Sequence, residues 1–209
     1  MTVLLCLLAG FALCGAWFGC CAQLRGWLKK WPWAAQLAPA LAAAPFLAVL
    51  ALTGGFVPHT WDIRALLRSG GTACAAAVSA AAITGLCIPR KRLSGRALFG
   101  WCLGGLLMEL PQRLMMQSAL FALMQIGGVP DAARWAVLCC AAVWCFGIVM
   151  QAMLTKQTPD RALFAELAAS LVFSLGVGYS YQQTGLLALS MAAHGAERLL
   201  GNALTRGER

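Results

Sequence analysis

Long apolar runs, broken by short polar or basic stretches, set the pattern of this chain from end to end. About 20 apolar residues suffice to cross a bilayer as a helix. The runs at 2–22, 31–56, 70–88, 97–126, 133–154, 162–182 and 184–204 therefore predict an all-α, polytopic transmembrane helix bundle of about seven spans. The second run is entered through Trp31, Pro32 and Trp33 and contains Pro39 and Pro45. Trp at such an entry is typical of the membrane interface. The third is rich in Ala, Gly and Ser, which let helix backbones approach closely in lipid, and it stops at Pro89. The fourth holds some 30 residues, roughly 45 Å of helix at 1.5 Å per residue. Pro111 lies in its middle and predicts a kink, because it removes a backbone donor. Gly127, Gly128 and Pro130 end it.

Two spans break the apolar pattern in an ordered way. In the fourth, Glu109, Arg113 and Gln117 are spaced four apart and share one helical face, with Gln112 and Met116 beside it. A charged side chain at mid-membrane costs about 2.5–3.5 kcal/mol on insertion scales. This face is therefore expected to turn into the bundle. In the seventh, Ser190, His194, Glu197, Arg198 and Gly201 share a face in the same manner. Glu109 and His194 both lie within a few turns of the membrane middle, so the two are expected to meet. The sixth span carries a weaker stripe, Glu166, Ser170, Ser174, Gly178 and Gln182, read as packing between helices.

Composition agrees with the pattern: 209 residues, 61% hydrophobic and 11% charged, with mean hydropathy +0.75. The length leaves room for a single membrane domain, 1–209. The net charge of +9 does not point to nucleic acid, because the basic clusters are short and abut apolar spans. It follows instead from the excess of Lys and Arg in cytoplasmic loops. Arg25, Lys29, Lys30, Arg90, Lys91, Arg92, Arg96, Lys156, Arg161, Arg206 and Arg209 fall on one side of a seven-span arrangement, and Arg64, Arg68 and Arg134 on the other. The expected setting is the cell (inner) membrane, N-terminus outside and C-terminus cytoplasmic. No charge precedes the first apolar run, so a cleaved signal peptide is not expected. The ten cysteines sit almost entirely in apolar runs and read as small packing residues. His59, beside Pro58 in the loop 57–68, reads as a solvated side chain.

Peptide hydrolysis inside a bilayer needs a base for water, a group to bind the oxyanion and a shielded pocket. Glu109 fits the base, His194 the oxyanion or water partner, and Arg113 the group that orients Glu109. Gln117 and Asn202, on the same two spans, fit substrate contacts. On residues alone three readings stand: a protease, a structural or binding protein, and a small transport component.

At these residues the chain resembles the CAAX protease and bacteriocin-processing (CPBP, Abi) intramembrane proteases. Their first motif is a pair of glutamates with an arginine four residues after the second. Met108, Glu109 and Arg113 stand in that frame. Their last motif is a histidine followed four residues on by asparagine. Here the run 178–187 leads into His194, Arg198 stands at the asparagine position, and Asn202 lies one turn further. Their middle motif is Phe-x-x-x-His. Phe146 fits it, Met150 replaces the histidine, and Gln151 follows. The resemblance covers about 97–204, with the motif helices at 97–126, 133–154 and 184–204. It implies a membrane endopeptidase in which a Glu-activated water attacks a peptide or membrane-anchored protein. The expected site is Glu109, His194 and Arg113, with Gln151 as the polar group of the fifth span. A catalytically degraded binding or immunity protein is the alternative. The expected partners are membrane lipid and a hydrophobic peptide or membrane-anchored protein. No cofactor and no metal are expected, His194 being where a metal would bind.

Overall fold

A computed structural model describes residues 2–88 and 91–205, with the side chains of residues 32 and 33 excepted. Pro89, Arg90, Arg206 and Arg209, and the side chains of Pro32 and Trp33, expected at the membrane interface, lie outside the described residues. The chain forms α1 (Thr2–Leu28), a short turn α2 (Pro32–Ala35), α3 (Ala38–Thr53), α4 (Ile63–Cys87) and α5 (Gly95–Glu109). A π-helical segment, Leu110–Gln117, follows, then α6 (Ser118–Ile126), α7 (Ala132–Leu154), α8 (Arg161–Thr184) and α9 (Leu187–Leu204). Helices α1, α4, α7 and α8 are each long and apolar enough to cross a membrane, and α3 is a shorter apolar helix. The α5, π and α6 pieces join end to end, so a helical segment stands at each of the seven predicted apolar runs. The protein is an integral membrane helix bundle.

Three local differences from the predicted spans have physical causes. The second span is broken, because Pro39 starts a new helix at α3, where its missing N–H costs nothing. The third predicted span begins as helix α4 at Ile63, so Arg64 and Arg68 are helical. Asp62 caps it by accepting a hydrogen bond from Arg64 N at 3.0 Å. The expected kink at Pro111 becomes a widened turn. A proline clashes with the carbonyl four residues back, and a π-bulge relieves the clash by lengthening the ladder to i→i+5. Ser118 N accordingly donates to Arg113 O, five residues earlier.

Two cores hold the bundle. One joins α1, α3, the π segment, α6 and α7 through Trp17, Met115, Met116, Leu120, Cys140 and Trp144. The other joins α4, α8 and α9 through Ala73, Ala76, Ala77, Ala80, Phe173 and Val177. Small residues set the second one: a Cβ on Gly176 would stand 2.5 Å from that of Ala76. All ten cysteines are free thiols, with Cys6, Cys14, Cys21, Cys139 and Cys140 buried in the first core. Outward faces carry exposed Leu4, Leu8, Val49, Leu138 and Phe164, as a lipid-facing surface requires.

Candidate active site

The α5–π–α6 rod runs through the bundle against α9, α3 and α7. Its polar face is fully buried: Glu109, Arg113 and Gln117 are each 0% exposed. Glu109 Oε1 stands 2.6 Å from His194 Nδ1 on α9. Its other oxygen, Oε2, accepts from Arg113 Nε at 3.2 Å. Arg113 Nη1 donates to Gln117 Oε1 at 3.3 Å, and Gln117 Nε2 donates to Gly178 O at 2.8 Å and Gln182 Oε1 at 3.0 Å on α8. A row of paired charges and amides thus ties three helices together in place of lipid or water. Gly178 makes room for it, since a Cβ there would lie 3.0 Å from Arg113 Nη1.

His194 is held on its other side as well. Arg198, one turn further on α9, places Nη2 3.3 Å from His194 Nε2. The Arg198 guanidinium lies over the ring of Trp101 at 4.8 Å, and Phe173 packs on the imidazole at 4.7 Å between centroids. Gly105 on α5 lets α9 come this close: a Cβ there would stand 3.0 Å from His194 Cδ2 and 3.1 Å from Arg198 Cγ. With Nδ1–H donated to the Glu109 carboxylate, Nε2 is left as an acceptor, and Arg198 Nη2 donates to it.

That cavity measures about 300 Å³. Its inner wall includes Trp17, Trp144, Phe173, Ser174, His194 and Glu197, and its lining extends to exposed Arg25, Gln151 and Glu166. Met108 is in the lining, whereas Glu109 is not. The one-residue step between them turns their side chains apart, so the carboxylate goes behind His194 and the thioether goes to the cavity.

The predicted site residues therefore separate. Glu109, Arg113 and His194 come together in one buried network. Gln151 lines the cavity from α7, but it is exposed and has no hydrogen bond to Glu109 or His194 among the described residues. Met150 is also exposed, outside the lining, and Phe146 packs on Phe11 at 4.7 Å. Two expected substrate contacts are corrected. Gln117 is fully buried with both ends of its amide engaged, which leaves it nothing for a substrate. Asn202 is directed elsewhere: its Oδ1 accepts from Leu93 N at 2.8 Å and its Nδ2 donates to Leu93 O at 3.0 Å. It clips the α4–α5 connection to the end of α9, where Arg92 also donates to the carbonyls of Asn202 and Ala203.

The stripe on α8, expected to be packing, divides. Glu166, Ser170 and Ser174 line the cavity, while Gly178 and Gln182 meet the π segment. Glu197 was legible as a neighbour of His194 on one face, but nothing in the spacing showed that it reaches the cavity. Among the described residues no three His, Cys, Asp or Glu side chains gather as a metal site would require.

A family model described as type II CAAX prenyl endopeptidase Rce1-like matches residues 90–200, just over half of the chain. Neither a curated protein nor a solved structure matches it.

Proposed function

The chain belongs to the Rce1-like family of type II CAAX prenyl endopeptidases, and from that premise we propose that it hydrolyses a peptide bond in a lipid-anchored peptide or protein. The observation that carries the reading is the 2.6 Å contact between Glu109 and His194, made across two helices at the wall of a cavity with room for water and a peptide. In this reading the two residues have unequal roles. Glu109 is sealed from the cavity and has both oxygens engaged, so it fixes the orientation of the His194 imidazole. Arg113 in turn holds Glu109. His194 Nε2 accepts from Arg198 Nη2 and so seats that guanidinium at the cavity wall, where its remaining N–H groups meet the scissile carbonyl oxygen. Donors aimed at developing oxyanion charge contribute about 10²–10³ in rate each.

The cavity suits a substrate that is apolar on one side and polar on the other. Trp17, Phe18, Trp144 and Phe173 line it for an isoprenoid or similar chain, and Ser170, Ser174 and Gln112 for a peptide backbone. Arg25, Gln151 and Glu166 line its exposed end, on the ends of α1, α7 and α8 where the chain carries Lys29, Lys30, Lys156 and Arg161. The positive-inside rule then turns the mouth to the cytoplasm, in a cell membrane with the N-terminus outside.

The test is reconstitution into liposomes with a farnesylated peptide carrying three residues beyond the modified cysteine, and with its unprenylated twin. The expected result is release of the C-terminal tripeptide from the farnesylated peptide, detected by mass spectrometry, and its loss in His194→Ala. Cleavage undiminished in His194→Ala, or none by the wild type, sinks the reading. One observation favours a second reading, a peptide-binding protein without turnover: a methionine, Met108, lines the cavity where the related motif has a glutamate. Saturable binding of the farnesylated peptide with no product would establish it.

A further inference from the structure

Hydrolysis in this cavity requires a group that takes a proton from water, and that group must touch the water. Glu109 is outside the lining and both its oxygens are engaged at 2.6 and 3.2 Å. His194 is occupied at both nitrogens, Nδ1 by Glu109 and Nε2 by Arg198. The carboxylates that do line the cavity are Glu166 and Glu197. Glu166 is exposed at the mouth, on a different helix from His194. Glu197 is 6% exposed on the inner wall and belongs to the same face of α9 as His194.

The partners of Glu197 leave it under-used. Oε1 lies 3.4 Å from Thr84 Oγ1. Thr84 has a single hydroxyl proton, and its nearer acceptor is Ala80 O at 3.1 Å. Oε2 lies 3.3 Å from Arg198 Nε. The angle of approach there makes no hydrogen bond, and Arg198 Nε is left without a hydrogen-bond partner. An ionised carboxylate offers about four acceptor sites. Glu197 therefore faces the cavity with acceptor capacity unspent, held by charge to the same arginine that touches His194.

We propose that Glu197 is the carboxylate that activates water. The proposal rests on the hydrolytic reading above and supplies the base that Glu109 is not placed to be. A water bound to Glu197 gives its proton to the carboxylate as its oxygen bonds to the scissile carbonyl carbon. The carbonyl π electrons move to oxygen, where Arg198, seated on His194 Nε2, meets the negative charge. When the oxyanion collapses, the C–N bond breaks and Glu197 returns the proton to the departing amine. Water is consumed, one peptide bond is divided into a carboxylic acid, which loses its proton to solvent, and an amine, and the enzyme is unchanged. Two glutamates thus divide the labour, Glu109 behind the imidazole and Glu197 in front of it.

Two measurements test this. In the liposome assay with the farnesylated peptide, Glu197→Gln is expected to lower kcat by about 100-fold or more, in the range of general-base catalysis, with KM little changed. Asp131→Asn, an exposed carboxylate between α6 and α7 outside the cavity lining, is expected to keep the wild-type rate. Full activity in Glu197→Gln beside an inactive His194→Ala overturns this inference and leaves the peptidase reading in place. A wild type that cleaves nothing overturns the reading, and the inference with it. The second measurement needs no turnover. The wild-type protein in detergent is treated with dicyclohexylcarbodiimide, which modifies carboxyl groups reachable from apolar cavities, and is mapped by mass spectrometry. Modification at Glu197 with Glu109 spared is the expected result. Modification at Glu109 with Glu197 spared overturns the assignment.

Discussion

Glu109 and His194 lie 85 residues apart in sequence and 2.6 Å apart in space, facing each other from α5 and α9 at the wall of the cavity. A carboxylate so placed, with an arginine on its second oxygen, is a device for fixing an imidazole.

Arg113→Ala should destabilise the bundle sharply. It removes the cation from a fully buried carboxylate, and breaking a buried pair at one partner costs about 3–5 kcal/mol. The measurement is thermal unfolding in detergent. Adding Glu109→Gln to Arg113→Ala should recover part of the loss, because the stranded charge is then gone, and a double-mutant cycle reads the coupling. Two independent, additive losses would contradict the pairing.

Gly105→Ala should impair activity more than stability. The new methyl would meet His194 Cδ2 at 3.0 Å and Arg198 Cγ at 3.1 Å. Misplacing a reacting group by about 1 Å can cost about 10²-fold in rate. The expected result is a large fall in kcat for the farnesylated peptide with the melting temperature close to that of the wild type. An unchanged kcat would show that the contact of α5 with α9 does not position the imidazole.

Asn202→Ala should do the opposite. Its amide makes two hydrogen bonds to the Leu93 backbone, and losing a buried partner costs about 1–3 kcal/mol. Stability should fall while the turnover of the folded fraction is retained. A loss of turnover without loss of stability would return Asn202 to the site.

Gln151→Ala separates the rim from the chemistry. Gln151 lines the cavity at its exposed end, so its removal should raise KM and leave kcat nearly as it was, the mark of an interaction equal in ground and transition states. A fall in kcat with unchanged KM would place it at the reacting atoms.

How much of this was readable beforehand differs by level. The spans followed from runs of apolar residues, because lipid admits backbone only when its hydrogen bonds close within the helix. The inward faces of the fourth and last spans followed from four-residue spacing, because charge is costly in hydrocarbon. The meeting of Glu109 with His194 followed from their similar depth. The break at Pro39 and the start of α4 just after Asp62 depended on local capping that an apolar window passes over.

Which atoms face the cavity was decided by the tertiary structure. Sequence spacing placed Met108 and Glu109 one position apart on a helix and said nothing of which would be sealed behind His194. The widened turn around Pro111, the close pass of α9 over Gly105 and the seat of Arg113 against Gly178 settle that. In the same way Glu197, Gln117 and Asn202 were all polar positions on inward faces. Only packing against α4, α8 and the Leu93 connection turned the first toward the cavity and left the other two fully engaged elsewhere. A one-dimensional pattern determines that a polar side chain must leave the lipid. The direction it then takes depends on neighbours that are distant in the chain.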